Sequence, residues 1–174
     1  MIRPARPEDL PALRELEIAA GASFRELEMG DVADDDPPTL AELAAYQEEG
    51  HAWVVADAAD HPVAYVLVQV LDGSAHIDQV SVHPRYARQG LGRGLLDTVA
   101  AWTAQRGLSA LTLTTFANVP WNAPYYERLG FRVLRADEIT SGLRAIQDHE
   151  ARLGLARWPR VAMRRAIGDD RQGR

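Results

Sequence analysis

Val80-Ser81-Val82-His83-Pro84-Arg85-Tyr86-Ala87-Arg88-Gln89-Gly90-Leu91-Gly92-Arg93-Gly94-Leu95-Leu96 is the stretch around which the rest of the chain is organised. A β-branched, extended run ends at Val82. A basic, Gly-rich loop follows and opens into an apolar-periodic helix. Gly92 and Gly94 fall in the first turns of that helix, where each costs about 1 kcal/mol relative to Ala. A sequence that accepts this twice needs the backbone bare, so that N–H groups can approach a ligand. A helix N-terminus already offers unsatisfied donors and a positive dipole end. The combination is an anion site, most often for phosphate or pyrophosphate, and Arg85, Arg88 and Arg93 add charge around it. It is not a nucleotide loop of the Gly-Lys-Ser/Thr kind, because the chain has no lysine. Nor does its glycine order supply the G-x-G-x-x-G of a dinucleotide site. A strand-to-helix turn with glycine for tight packing is the plainer alternative.

Composition narrows the choice. The chain has 174 residues, 47% hydrophobic and 25% charged, which suits one globular domain with a sizeable core. The net charge of −6 argues against nucleic acid as partner. No cysteine is present, so disulfides, thiolate metal sites and a Cys nucleophile are excluded; no metal is expected. No apolar run reaches the ~20 residues of a membrane span, and Met1 to Pro7 lacks the apolar core of a signal peptide. A cytoplasmic protein with no membrane partner is the expectation. All 19 basic residues are Arg, a composition bias that also leaves no ε-amine to be acylated.

The remaining elements read as follows. Ile2 to Ala5 is a short strand, and Pro7 sits in the first turn of a helix with Glu8 and Asp9 at its N-terminal end. Leu10, Leu13, Leu16, Glu17 and Ile18 give that helix a partial apolar stripe. Gly21 interrupts it, and Ala22 to Glu28 forms a second short helix. Gly30 to Pro38 is an acidic, linker-like segment with Asp31, Asp34, Asp35 and Asp36: either a solvated loop or a rim that attracts a cationic amine. Thr39-Leu40-Ala41-Glu42 is a capping box that starts a helix to about Glu49. Ala52–Ala56 and Val63–Val70 are strands, Asp72-Gly73 is a hairpin turn, and Ala75–Val82 is the strand feeding the loop. The helix after the loop carries Leu91, Leu95, Val99 and Trp102 on one stripe, with Gly107 as its cap. Ala110–Thr115 is the next strand, parallel to Ala75–Val82 because a crossover helix joins them. A helix begins at Pro120 and stops at Gly130. Phe131–Arg135 and Val161–Arg164 are the last strands, separated by a helical insertion over 141–154. Gly168 to Arg174 reads as a disordered tail.

A second motif follows the loop: Asn122-Ala123-Pro124-Tyr125-Tyr126-Glu127-Arg128-Leu129-Gly130-Phe131. Gln89-Gly90-Leu91-Gly92-Arg93-Gly94 resembles the acetyl-CoA pyrophosphate loop of the GNAT N-acetyltransferase superfamily, Gln/Arg-x-x-Gly-x-Gly/Ala. Tyr126-Glu127-Arg128-Leu129-Gly130-Phe131 resembles the family's Tyr-Glu-x-x-Gly-Phe ending. Asn122 departs from the commoner Asn-x-x-Ala spacing, and the 141–154 insertion exceeds the minimal family core. The resemblance covers about residues 1–166 and implies an α/β (α+β) fold: a mixed, mostly antiparallel central sheet of about seven strands flanked by helices, in a single domain over 1–167.

It also implies a function: transfer of an acetyl group from acetyl-CoA, as co-substrate, to a primary amine of a small molecule or peptide, by direct attack in a ternary complex. A non-catalytic acyl-CoA sensor on the same fold is the alternative. By resemblance, Arg88, Gln89, Gly90, Gly92, Arg93 and Gly94 hold the pyrophosphate. Val80 and Val82 pair with the pantetheine as an added strand, Asn122 contacts the cofactor, and the N–H of Val82 or a neighbour polarises the thioester. The attacking amine must be neutral, so a general base helps. Strict alternation puts His76 and Asp78 on one face with Val80 and Val82. Either could be the base, or an ordinary strand residue and a hydrogen-bonded anchor; a water chain could also serve. Tyr126 fits the family's general acid for the departing thiolate. Trp121, Tyr125 and Leu129 form an i, i+4, i+8 stripe that reads as core and leaves Tyr126 for a polar task. Ser23, Phe24 and Arg25 are candidate acceptor contacts, with Arg25 suited to a carboxylate. The assembly is read as a monomer or homodimer.

Overall fold

The computed structural model describes residues 1–33 and 36–168. Its strands are β1 (Ile2–Pro4), β2 (Ala52–Ala56), β3 (Pro62–Leu71), β4 (Ser74–Val82), β5 (Ala110–Phe116), β6 (Arg132–Val133) and β7 (Arg160–Ala166). They form a seven-stranded sheet in the order β1-β2-β3-β4-β5-β7-β6. The helices are α1 (Leu10–Gly21), α2 (Gly30–Ala33), α3 (Leu40–Glu48), α4 (Leu91–Gln105), α5 (Ala123–Arg128) and α6 (Ser141–Arg152). β4 and β5 run parallel, as their crossover through α4 requires; β1–β2, β2–β3, β5–β7 and β6–β7 are antiparallel. The turn between β3 and β4 holds Asp72 and Gly73 at φ 51° and 74°, the left-handed pair that a two-residue hairpin needs. The expected fold class, mixed and mostly antiparallel with helices around it, is the one adopted.

The chain packs as two compact units. One comprises Met1–Gln69 with Asp78–Thr98. Its core joins Leu10, Leu13 and Leu16 of α1 and Leu43 of α3 to Val54, Tyr65 and Leu67 of the strands. Glu17 continues that stripe, four residues after Leu13, whereas Ile18, expected on it, is exposed. Thr39 caps α3: its hydroxyl accepts from the Glu42 N–H at 3.1 Å and donates to the Glu42 carboxylate. Pro7–Asp9 forms a 3-10 turn ahead of α1 rather than its first turn. Asp9 is pulled inward there by the Arg3 guanidinium, at 2.7 and 3.0 Å, and by the Arg6 N–H. Burial opposes its ionisation, but these donors outweigh burial and hold its pKa below the usual value.

The second unit comprises Val70–Ile77 with the chain from Val99 onward. β5 pairs with β7 along its whole length, from Ala110↔Ala166 to Phe116↔Arg160. The 141–154 insertion is helical: Thr140 caps α6 by accepting the Leu143 N–H, and Leu143 packs with Leu134 and Ala162. A Cβ on Gly142 would collide with Asp72 and Leu71, so the glycine lets α6 begin directly against the β3–β4 turn. The helix expected from Pro120 starts only at Ala123, which puts Pro124 in its first turn, where proline is tolerated. β6 is reduced to two residues, and β7 is longer than the sequence suggests. Asp34 and Asp35 of the acidic segment, and the tail from Asp169, lie outside the described residues.

Candidate active site

The loop after β4 is shaped by backbone conformation. His83 accepts the Arg85 N–H on its Nδ1 at 3.1 Å and starts a 3-10 turn over Pro84–Tyr86. Arg88 and Gly90 then adopt left-handed φ of 63° and 77°. The first is a conformation that a non-glycine residue holds at a cost, of the kind found at functional turns. α4 starts immediately, at Leu91. The Gly94 N–H already bonds to the Gly90 carbonyl at 3.0 Å. The N–H groups with no partner inside the helix are therefore those ahead of it, at Leu91, Gly92 and Arg93. Gly94, expected among the pyrophosphate contacts, differs from these three. Its amide is used by the helix, and its missing Cβ has a packing cause: a Cβ there would stand 3.2 Å from Ile2 Cδ1. Gly92 is buried, while Arg88, Gln89, Gly90 and Arg93 are exposed.

On β4, Asp78 is half-buried, and Tyr46 and Gln69 both donate to it. The Tyr46 hydroxyl from α3 reaches one carboxylate oxygen at 2.6 Å and the Gln69 amide from β3 reaches the other at 2.8 Å. Burial, then the Asp78 charge, push the Tyr46 phenol well above its ordinary pKa, so it stays a neutral donor. Three residues on, the Ser81 hydroxyl donates to Glu17 of α1 at 2.7 Å, and Tyr65 donates to the same oxygen at 2.7 Å. Tyr46 and Tyr65 belong to one layer with α1 and α3. Strict alternation would send residues 78 and 81 to opposite faces, yet both turn to that layer. The alternation therefore slips by one between them, as at a β-bulge. The slip takes Val82 off the expected shared face, whereas His76 and Asp78 both precede it. Val80 and Val82 are half-buried.

His76 lies in the second unit. It is 2% exposed, and its Nδ1 is 2.8 Å from the Thr112 hydroxyl. His76↔Thr112 is also the last rung of the β4–β5 ladder, which begins at Ala75↔Leu111. β4 itself continues to Val82.

The Asn122 side chain ties the start of α5 to β5: its Oδ1 accepts from the Thr115 hydroxyl at 2.8 Å. The face of α5 differs from the expected one. Ala123 and Tyr126 are buried, Tyr126 at 9% exposure, whereas Trp121 is 39% exposed and Tyr125 and Leu129 are half-buried. α5 is only six residues long, so Trp121 precedes the helix and Leu129 follows it, and an i+8 stripe has no continuous helix to run along. The Tyr126 ring meets Tyr125 and Phe131 edge-on, with centroids 5.3 and 5.7 Å away. Burial, then the neighbouring Tyr125, raise its phenol pKa well above the ordinary value, so it keeps its proton at neutral pH. Phe24 is half-buried and Arg25 exposed, on a 3-10 turn over Ala22–Leu27.

Sequence reading missed Tyr46, Gln69 and Thr112 as partners of the candidate residues, and Glu17 as the acceptor for Ser81 and Tyr65. Glu17 left a signal, an acid on the apolar stripe of α1. The other three are ordinary strand or helix residues whose partners are distant in sequence.

The profile of the Acetyltransferase (GNAT) family matches residues 13–131, and the chain belongs to that family. Over 68 residues it is 37% identical to the ribosomal protein bS18-alanine N-acetyltransferase of Escherichia coli (strain K12), a stretch that is 39% of this chain and 46% of that protein. The chain thus spans about half the length of the curated relatives it matches. Solved structures share the fold. The ribosomal-protein-S18-alanine N-acetyltransferase from Escherichia coli superposes with a TM-score of 0.64 at 23% identity, over 98% of this chain and 97% of that one. The PaiA N-acetyltransferase from Thermoplasma acidophilum, solved in complex with coenzyme A, gives 0.68 at 15% identity, over 95% and 98%.

Proposed function

We propose that this protein transfers an acetyl group from acetyl-CoA to a primary amine. The observation that carries the reading is the start of α4. Open N–H groups at Leu91, Gly92 and Arg93 follow the left-handed Arg88 and Gly90, a cradle for pyrophosphate at the positive end of a helix. Arg88 and Arg93 supply charge beside it, and Gln89 and Gly90 form its lip. Val80 to Val82 would take the pantetheine as an added strand, and an N–H there, at Val82 or a neighbour, would bond the thioester oxygen as charge develops.

The amine nitrogen attacks the thioester carbon, the C–S bond breaks, and two protons move. Asp78 is better placed than His76 to take the amine proton, directly or through one water, because it is half-buried while His76 is 2% exposed. Tyr46 and Gln69 each hold one oxygen of its carboxylate and so fix its orientation. His76 then serves to hold the β4–β5 ladder through Thr112. Tyr126 would give its proton to the sulfur as the C–S bond breaks; burial keeps the phenol neutral beforehand and also makes it a weaker acid than an exposed tyrosine.

The stretch of similarity to a protein-alanine N-acetyltransferase favours a peptide α-amine as acceptor over other small amines. An α-amine has a pKa of about 8, so a sizeable fraction is neutral at pH 7 and a modest base suffices. Phe24 and Arg25 would meet the acceptor. The test is thiol release from acetyl-CoA with a panel of short peptides and small amines, with product mass measured. Acetylated peptide α-amines are the expected product. Tight CoA binding with no amine ever acylated would leave an acyl-CoA sensor as the better account.

A further inference from the structure

We propose that the second unit carries a separate small-molecule site, a cavity under the first turn of α6 that binds a short-chain monocarboxylate through Arg164. The cavity has a volume of about 110 Å³, room for a molecule of several heavy atoms. Its floor is Thr112 of β5 and Arg164 of β7, which are register partners. Ser74 and Ser109 add hydroxyls, and Leu71, Leu134 and Leu143 supply an apolar wall.

Among the described residues the polar groups around the cavity have donors or acceptors, with one exception. Glu138 takes both nitrogens of the Arg132 fork, at 2.9 and 2.7 Å, and the Arg135 N–H. Asp72 takes the Gly142 N–H at 2.9 Å, and the Thr140 hydroxyl takes the Leu143 N–H. The exception is Arg164. Its Nε is buried without an acceptor, and among the described residues no carboxylate pairs with its guanidinium. The Nε is shielded from the cavity, so a ligand meets the two terminal nitrogens, and a carboxylate fits that pair with two parallel hydrogen bonds. Ser109 donates to the Gly73 carbonyl at 3.3 Å and Thr112 contacts His76, which leaves the Ser74 hydroxyl, 3.5 Å from Ser109, to turn toward a bound oxygen.

The remaining features select among anions. The three leucines favour an alkyl tail, and the cavity limits it to a few carbons. A phosphate dianion is disfavoured because Asp72 and Glu138 flank a single uncommitted cation. An amine is disfavoured because it would face that cation while both carboxylates already hold donors. The site lies at the last rung of the β4–β5 ladder, since Thr112 also contacts His76.

The experiment is a ¹H–¹⁵N titration of the full chain with propionate, run against propionamide and against chloride at equal ionic strength. Saturable shifts at the Leu71, Ser109, Thr112 and Leu143 amides are expected with propionate alone. Arg164→Gln should weaken binding at least tenfold. Arg164→Lys, which keeps the charge but loses the fork, should fall between the two and serves if the Gln variant does not fold. The proposal is overturned by an absence of saturable shifts, by equal shifts with propionamide or chloride, or by unchanged affinity in a folded Arg164 variant.

Discussion

α4 and α5 each begin just beyond a strand of the sheet, and they present their chemistry in opposite ways. α4 opens on backbone: a left-handed Arg88, a left-handed Gly90 and N–H groups with no partner inside the helix. α5 opens on side chains: Asn122 tied to Thr115, then Tyr126 wedged between Tyr125 and Phe131. A backbone site tolerates most exchanges and fails when a Cβ fills the space a ligand needs. A side-chain site tolerates bulk poorly and fails on the loss of one atom. The contrast predicts which substitution does most harm at each end.

The largest effect belongs to the single-atom loss. Tyr126→Phe keeps the ring and its packing but removes the proton donor. A positioned acid contributes about 10²–10⁴-fold, so single-turnover acetyl transfer should fall by that factor while acetyl-CoA binding persists. Tyr125→Phe should cost far less. The pH profile sharpens the point. The Tyr126 phenol pKa is raised, so the group stays protonated through and above the ordinary phenol range near 10. The parent rate should therefore rise as the amine deprotonates and show no decline assignable to Tyr126 below that range. A decline there in the parent, absent from Tyr126→Phe, would count against the assignment of the raised pKa.

Next is Gly92→Val, the steric counterpart. A branched Cβ at the open N–H groups should cost one charge-assisted hydrogen bond, about 1.5–3 kcal/mol, or roughly ten- to a hundredfold in CoA affinity by calorimetry. Equal CoA affinity in a folded Gly92→Val protein would remove the backbone cradle from the proposal.

The two helices also differ in how far sequence alone discloses them. The β4–loop–α4 passage carries its signals locally: a β-branched run, spaced glycines, then a period of 3.6 over four turns. Leu95, Leu96 and Val99 are fully buried, as that period requires. α5 has six residues, fewer than two turns. Its buried face is set by the pair Ala123 and Tyr126, three apart, and by the Phe131 that follows, so the longer stripe through Trp121 and Leu129 misassigned it. On β4 the failure is of another kind. Period two is a property of a regular strand, and the slip between Asp78 and Ser81 is visible only through Tyr46 and Glu17, partners far along the chain. Local grammar disclosed the glycine-rich loop and its helix, and tertiary partners decided which groups Asp78 and Tyr126 meet.

A smaller effect is expected at the tie between α5 and β5. Thr115→Val removes the shorter of two donors to Asn122 Oδ1, leaving the Phe116 N–H at 3.5 Å, without changing side-chain size much. It should lower stability by about 1 kcal/mol, read from denaturant midpoints. If Asn122 positions the start of α5 for Tyr126, transfer should slow several-fold with CoA affinity unchanged. Loss of stability with no change in rate would make the tie purely structural.

The smallest effect is the one that best separates the roles of the loop glycines. Gly94 sits two residues beyond Gly92 on the same helix, but its N–H is bonded to Gly90 and its missing Cβ points at Ile2 Cδ1, 3.2 Å away. Gly94→Ala adds one methyl to a tight but yielding contact, because Ile2 Cδ1 is the end of a flexible side chain. It also replaces a poor helix former by the best one, a gain of about 1 kcal/mol in an exposed helix. Overpacking and propensity therefore oppose each other, and the net change in stability should stay within about 1 kcal/mol of zero. CoA affinity should match the parent, since no open donor is touched. If Gly94→Ala instead weakens CoA binding as much as Gly92→Val does, both glycines lie against the cofactor, and the division between a cradle at Leu91–Arg93 and a packing contact at Gly94 is wrong.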